Sequence, residues 1–115
     1  MSQPDKPASQ NLVGTTLAPN VNPVTIASAA SLANAITYAI TKVSGTNAVT
    51  GFQLPAGFTG AFIVIPTGNF TGATGGTYAN DGTTASIPIG LAFTAVTGKA
   101  IIFVTDGLLV YPSYA

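Results

Sequence analysis

Two aspartates, Asp81 and Asp106, offer the most chemistry in the folded part of the chain, because two carboxyl groups can divide the roles of general acid and general base. Each is followed by glycine, however, and an Asp-Gly pair is typical of a tight β-turn that needs a positive φ. Neither aspartate stands in the Asp-Thr-Gly or Asp-Ser-Gly triplet of aspartic proteases. We therefore interpret both as turn residues and predict that neither is catalytic.

Other reactive residue types are few. The sequence contains no His, Cys or Glu, so one chain cannot form a Ser-His-Asp triad, a Cys-His dyad or a metal site built on histidine or cysteine. Lys42 and Ser44 would share one face of a strand, but a lysine beside a turn is ordinarily solvated. Gly98-Lys99 is followed by alanine, which breaks the pattern of a phosphate-binding loop. The sequence therefore predicts no enzyme, no cofactor and no metal.

Tyrosines provide the alternative that points to a ligand. Tyr78 and the glycine-rich stretch from Gly72 to Gly82 could form a platform for a surface glycan. Tryptophan, the residue favoured in such platforms, is absent, and tyrosines also pack in cores and subunit contacts. Asn69-Phe70-Thr71 matches the N-glycosylation triplet, but no signal peptide is recognised and we interpret the match as chance. Packing is the preferred interpretation, and glycan binding is the alternative.

Composition narrows the possible partners. Hydrophobic residues make up 47% of the chain and charged residues only 5%, with a formal net charge of zero. Three scattered lysines and no arginine cannot form the basic surface that nucleic acid requires. The weakly polar stretch from Val24 to Ile40 is too short and too often interrupted to span a membrane. Such a chain is expected to be made in the cytoplasm and to pack against copies of itself.

The chain divides into two parts. Residues 1–23 are polar and interrupted by prolines, which favours an extended N-terminal arm. Residues 24–115 form one domain, because this length suffices for one core. The arm is interpreted either as a leader without fixed structure or as a segment that orders along a partner. Its expected contact residues are Pro4, Pro7, Leu12, Val13 and Leu17.

The C-terminal segment carries the strongest strand signal. Ala100–Thr105 and Leu108–Tyr111 flank Asp106-Gly107, which predicts an antiparallel hairpin closed by a two-residue turn. The first of these strands is apolar almost throughout instead of alternating, so both of its faces should be covered. One domain of this size has few ways to cover both, and a neighbouring subunit is expected to help. The predicted subunit-interface residues are Ile102, Val104, Leu109 and Tyr111.

Further segments complete an all-β domain. A hairpin is predicted between Ile36–Thr41 and Ala48–Leu54, and another turn at Asp81-Gly82. The run Ala61–Ile65 suits a fully buried strand, and Pro88 indicates an edge strand or a bulge. Short strands separated by turn signals at intervals of about eight to twelve residues indicate a single antiparallel β-sandwich or small barrel.

Several of these segments together resemble a known class of modules. The stretch from Ile40 to Pro112 contains Pro55-Ala56-Gly57-Phe58-Thr59-Gly60, the apolar run Phe62–Pro66 and the terminal segment Ile102–Gly107. It resembles the small β-modules of tailed-phage virion proteins, which occur in capsid decoration (cement) proteins and in fibre or spike pieces. These modules typically assemble as trimers.

The resemblance implies a structural function. It implies a homotrimer that decorates and stabilises a bacteriophage capsid by binding the major capsid protein, with the arm lying on the shell. The expected location is the capsid surface of the virion. The alternative that it implies is a phage fibre or spike domain that binds a host-surface glycan.

Overall fold

The computed structural model describes residues 17–18, 24–30 and 34–115, and all regular secondary structure within these ranges is β-strand. The all-β prediction is confirmed to that extent. Two residues of the predicted arm are described: Ala18 forms a parallel β-bridge with Tyr38, and Leu17 packs partly buried against the core. The other predicted arm contacts lie outside the described residues and are Pro4, Pro7, Leu12 and Val13.

Ten strands occur in the described ranges, and hydrogen bonds arrange them in three sheets. They are β1 (Val24–Ala27), β2 (Ile40–Ser44), β3 (Gly51–Pro55), β4 (Gly60–Pro66), β5 (Thr71–Gly72), β6 (Ala79–Asn80), β7 (Thr84–Pro88), β8 (Phe93–Thr94), β9 (Ile101–Thr105) and β10 (Val110–Pro112). The strand orders are β1-β2-β4-β9-β10 in the five-stranded sheet, β3-β7-β6 in the three-stranded sheet and β5-β8 in the two-stranded sheet.

The five-stranded sheet is mixed. β2 runs parallel to both of its neighbours, with Val43 opposite Ile26 of β1 and Ile40 opposite Ile63 of β4. β9 runs antiparallel to β4 and to β10. The prediction of an antiparallel domain is therefore wrong for this sheet. Alternation shows that a strand is half-buried, but it does not show the direction of the neighbouring strand.

The predicted hairpin between Ile36–Thr41 and Ala48–Leu54 is also wrong. β2 and β3 lie in different sheets, and the chain between them crosses from one sheet to the other. Ser28, just after β1, holds this connection. Its hydroxyl accepts the Asn47 backbone N–H at 3.1 Å, and its carbonyl accepts the Asn47 side-chain amide at 3.2 Å. These bonds tie the turn after β2 to the residue that follows β1.

The three-stranded sheet is antiparallel and contains the turn predicted at Asp81-Gly82. The Asp81 N–H donates to the Thr84 carbonyl at 3.1 Å, and Gly82 has a φ of 89°, so the hairpin of β6 and β7 is confirmed. β7 is the central strand and not an edge. Pro88 is its last residue, beyond the two residues with which β6 pairs, so its missing N–H interrupts no bond to β6.

The C-terminal hairpin is confirmed, but its turn is longer than predicted. β9 and β10 pair antiparallel, and the pair nearest the turn is Thr105 and Val110. Asp106 supports the longer connection, because its carboxylate accepts the N–H groups of Leu108 and Leu109 at 2.9 and 3.0 Å. In a two-residue hairpin, Leu108 and Leu109 would belong to the second strand. Here they belong to the turn, and the aspartate bonds their N–H groups.

Phenylalanine side chains join the three sheets in one core. Phe52 of β3 contacts Phe62 and Phe103 of the five-stranded sheet, with ring centroids 5.4 and 5.0 Å apart. Phe93 of β8 contacts Phe103 at 5.3 Å and Phe70 at 6.2 Å. Aromatic pairs at these separations stabilise a core beyond the area that they bury. Every second residue of β3, β4 and β9 points into this cluster, so the alternate residues point away from it.

Candidate functional site

The two aspartates lie at the tips of different hairpins. Asp81 connects β6 to β7, and its Oδ1 accepts the N–H groups of Thr84 and Thr83 at 2.8 and 2.9 Å. Asp106 bonds its own turn between β9 and β10 in the same way. These bonds lower the pKa of both carboxyl groups, with the Thr84 N–H contributing most at Asp81 and the Leu109 N–H most at Asp106. A carboxylate held ionised in a turn is a poor general acid, which supports the interpretation as turn residues.

Lys42 and Ser44 share the outer face of β2, and both are half-buried. The Ser44 hydroxyl donates to the carbonyl of Ile26 in β1 at 3.3 Å. Its proton is therefore directed at a backbone oxygen and not at the lysine amine. This arrangement fixes the end of β1 and does not prepare a serine nucleophile.

Asn69 of the glycosylation triplet is used within the fold. Its Oδ1 accepts the backbone N–H of Thr97 at 2.8 Å and the Thr97 hydroxyl at 2.9 Å. These bonds connect the residues that precede β5 with those that follow β8. The side chain therefore has a structural role in pinning two loops together.

Metal clusters and membrane helices are both missing from the part of the chain that the structure describes. No group of three or more aspartate, glutamate, histidine or cysteine side chains comes together there. None of the described residues belongs to a helix that is long and apolar enough to cross a membrane.

A shallow groove of about 280 Å³ lies on the outer face of the three-stranded sheet. Ser86 lies opposite Gln53 of β3 and Ala79 of β6, so these residues form a row across the sheet. The Gln53 amide donates to the Thr84 hydroxyl at 2.9 Å. This face is therefore polar and bonds partly to itself. The groove is lined by Gln53, Ala79, Asn80, Asp81, Thr84 and Ser86.

Tyr78, the residue predicted for glycan binding, lies next to this groove. Its hydroxyl accepts a hydrogen bond from the side-chain amide of Asn80, which lines the groove, at 3.2 Å. The tyrosine is 41% exposed. The structure thus links the tyrosine hydroxyl to one residue of the groove, and glycan binding at this place stays a prediction.

The outer face of the five-stranded sheet carries apolar side chains instead. Ile102 and Val104 of β9 point away from the core and are 49% and 50% exposed. Tyr111 of β10 lies opposite Val104, and Ile63 of β4 lies opposite Ile102. Leu109 precedes Tyr111 by two residues and is half-buried. We name these five residues the apolar patch.

The patch contains all four residues that were predicted to form a subunit interface. Beneath two of them lies Gly90, where an added Cβ would stand 2.7 Å from the Tyr111 ring and 3.3 Å from the Leu109 Cβ. A glycine at this position lets both side chains lie close to the backbone. The outward face of β9 remains exposed within the single chain, and its contact with another subunit stays a prediction.

Ile63 was not among the predicted interface residues, because β4 was expected to be fully buried. That expectation is wrong: Ala61 is exposed, and Ile63 and Ile65 are only half-buried, while Phe62 and Val64 fill the core. β4 and β9 share the same sequence signal, an apolar run without alternation. Applied to both strands, this signal would have found Ile63.

A scan against protein-family models, a search of curated proteins and a search of solved structures each find no match to this chain. The patch, the groove and the two aspartate turns are therefore the features from which its function is inferred.

Proposed function

We propose that this protein is a structural subunit of a bacteriophage virion, which binds the outer shell of the capsid as a homotrimer and stabilises it. Each subunit would be a two-layer β-sandwich, with residues 1–23 as an arm on the shell and the major capsid protein as partner. The protein would be made in the host cytoplasm and act at the capsid surface.

The apolar patch carries this proposal. Contiguous apolar side chains exposed on a soluble domain mark an association surface, since water covers them unfavourably. Here they stand in a chain with only 5% charged residues. The potentially reactive groups of Asp81, Asp106 and Ser44 instead form hydrogen bonds with backbone groups of nearby residues. These features support a protein that works by adhesion, and the resemblance of residues 40–112 to decoration modules points to a capsid.

Cryo-electron microscopy of virions with and without the protein tests the proposal. We expect additional density on the outer surface of the shell, grouped in threes, only in virions that contain the protein. Removal of the protein should also lower the temperature at which the capsids release their contents. Identical images of the two preparations would overturn the proposal.

Deletion of residues 1–11 tests the role of the arm. The domain should keep its thermal unfolding midpoint, because the described strands begin at Val24, while cosedimentation with capsids should weaken. A variant in which these residues are replaced by an equally long Gly/Ser segment separates the loss of sequence from the loss of length. Unchanged attachment of both variants would refute a contact between this segment and the shell.

A second candidate function, a fibre or spike domain that binds a host-surface glycan, is favoured by the groove beside Tyr78. Amide and carboxylate groups bond sugar hydroxyls, and an exposed ring stacks on a sugar face. Val96 is 46% exposed, close to the 41% of Tyr78, and lies outside both the groove and the apolar patch, so Val96→Ala is the control for Tyr78→Ala on a glycan array. Binding lost only in Tyr78→Ala would favour this function. An empty array beside tight capsid binding would favour decoration.

A further inference from the structure

The apolar patch has the charge properties of a surface that meets its own copy. Its five side chains carry no charge, Lys42 lies on the same sheet face, and the Asp106 carboxylate borders the patch at the hairpin tip, where it accepts the Leu109 N–H at 3.0 Å. A highly charged partner would find almost no counter-charge here. Two copies of the patch, in contrast, meet without repulsion, and the zero net charge of the chain removes repulsion at longer range.

Toward the β1 edge, the same face carries the polar residues Thr25, Lys42 and Ser44 together with the apolar residues Ala27, Ile40 and Ile65. The register places Thr25 opposite Lys42 and Ala27 opposite Ser44, so these four residues of β1 and β2 face outward together. An apolar centre with a polar rim is the usual anatomy of a protein interface. The face is therefore divided into an apolar part and a part of mixed polarity.

The size of the face fits a contact between two sheets. Five strands about 4.8 Å apart, with five residues of about 3.3 Å each, cover roughly 400 Å² in projection. The relief of the side chains raises the accessible area above this value, and Leu108 at the hairpin tip is a further 61% exposed apolar residue. A standard interface buries about 800 Å² on each partner. One sheet face thus supplies a large part of one specific contact.

We propose that the apolar patch of each subunit packs against the apolar patches of its sister copies, so that β9 lies beside the symmetry axis of the oligomer. This inference rests on the self-association in the proposed function and names the surface that performs it. The outward residues of β9 would then be covered by a sister copy, while its inward residues are covered by the core. This is the arrangement that the apolar sequence of β9 predicts.

Val104→Asp is the direct test, and Val96→Asp is its matched control. Both residues are valines of similar exposure, 50% and 46%, but Val96 lies outside the patch. Circular dichroism and thermal unfolding should show both variants folded, because neither side chain is in the core. In sedimentation equilibrium, Val104→Asp should weaken association by about 100-fold or more, since it buries an unpaired charge at the contact. Val96→Asp should associate like the unchanged protein.

Cross-linking locates the contact without adding a charge. The chain has no cysteine, so a single introduced thiol is an unambiguous probe. Treatment with a short bismaleimide should link Ile102→Cys and Val104→Cys chains to each other and should leave Val96→Cys chains unlinked. Efficient linking at Val96 with none at either β9 position would overturn the inference.

The outcomes distinguish this inference from the proposed function. A Val104→Asp variant that keeps full association, or an unchanged protein that is monomeric, overturns the inference even where capsids are bound. An oligomer that dissociates on Val104→Asp supports the inference even where capsids are not bound, and that result would overturn only the capsid as partner.

Discussion

The outer faces of the two larger sheets differ in what they present to their surroundings. The three-stranded sheet shows Gln53, Thr84 and Ser86, and the Gln53 amide bonds the Thr84 hydroxyl at 2.9 Å. The five-stranded sheet shows Ile102 and Val104, each about half exposed. The inner faces do not differ in this way, since both contribute buried apolar residues to one core.

This difference separates folding from association. Core packing dictates the inward residue of each strand, but it leaves the outward residue free to be polar, as at Ser86 of β7. Apolar residues at such outward positions do not stabilise a single subunit in water. They therefore indicate a second surface that covers them, whereas the groove face is adapted to water or to a polar ligand.

Substitutions on the two sides of β9 give the largest expected effect. Phe103→Ala removes a fully buried ring that contacts Phe52, Phe62 and Phe93, and it should lower the free energy of unfolding by about 3–5 kcal/mol. Ile102→Ala, next to it but outward, should cost less than about 1 kcal/mol at a concentration where the subunits are dissociated. Chemical denaturation measures both. Equal losses would show that the outward side of β9 is part of the subunit core.

An apolar version of the groove face should give the next largest effect. Gln53→Val with Ser86→Val places two β-branched side chains side by side on the outer face of the three-stranded sheet. We expect this double variant to fold and to form particles larger than those of the unchanged protein, because it has a second association surface. Light scattering measures the particle mass. Gln53→Ser with Ser86→Thr is the polar control, and an unchanged mass in the apolar variant would show that an apolar outer face is insufficient for association.

Local patterns in the sequence predicted strands and turns, because those depend on neighbouring residues. Asp81-Gly82 and Asp106-Gly107 each form the tip of a hairpin, as glycine after aspartate predicts. The apolar run in β9 predicted cover on both of its faces; the structure covers the inward face and leaves Ile102 and Val104 exposed, so cover by another subunit stays a prediction. The length of the second turn was missed, because a carboxylate can bond two or three residues ahead with equal ease.

The pairing of strands that are distant in the chain could not be predicted from such local patterns. β2 alternates equally well as the partner of β3 or of β4, and its actual pairing joins Ile40 to Ile63, residues far apart in the chain. The groove beside Tyr78 likewise depends on the register that places Gln53 of β3 against Ser86 of β7. Composition predicted an adhesive protein, whereas only the fold shows that its apolar residues share one face.

The stability that the two aspartate turns contribute should depend on pH in the same way. The two sheets would then differ in their outer faces and not in their turns. Hydrogen bonds lower the pKa of Asp81 and Asp106 in the folded state, so each stabilises the fold above the unfolded value of about 3.9 and loses this contribution as the pH falls below it. The unchanged protein should therefore have a lower thermal midpoint at acidic pH than at neutral pH. Asp81→Asn and Asp106→Asn should each reduce this decrease. Variants that keep the full decrease would show that other groups cause it.

Salt should have the smallest effect, and its direction tests the nature of the patch. Association through uncharged side chains has no Coulomb attraction to screen, so raising NaCl from about 0.05 M to about 1 M should weaken it by less than about threefold. Sulfate at equal ionic strength should tighten it, because excluded salts favour burial of apolar surface. Lys42, the charged residue at the edge of the same face, provides the control: Lys42→Gln should leave both responses unchanged. Suppose instead that NaCl weakens the association constant by about tenfold and that Lys42→Gln removes this effect. An ion pair, and not the apolar patch, would then hold the copies together.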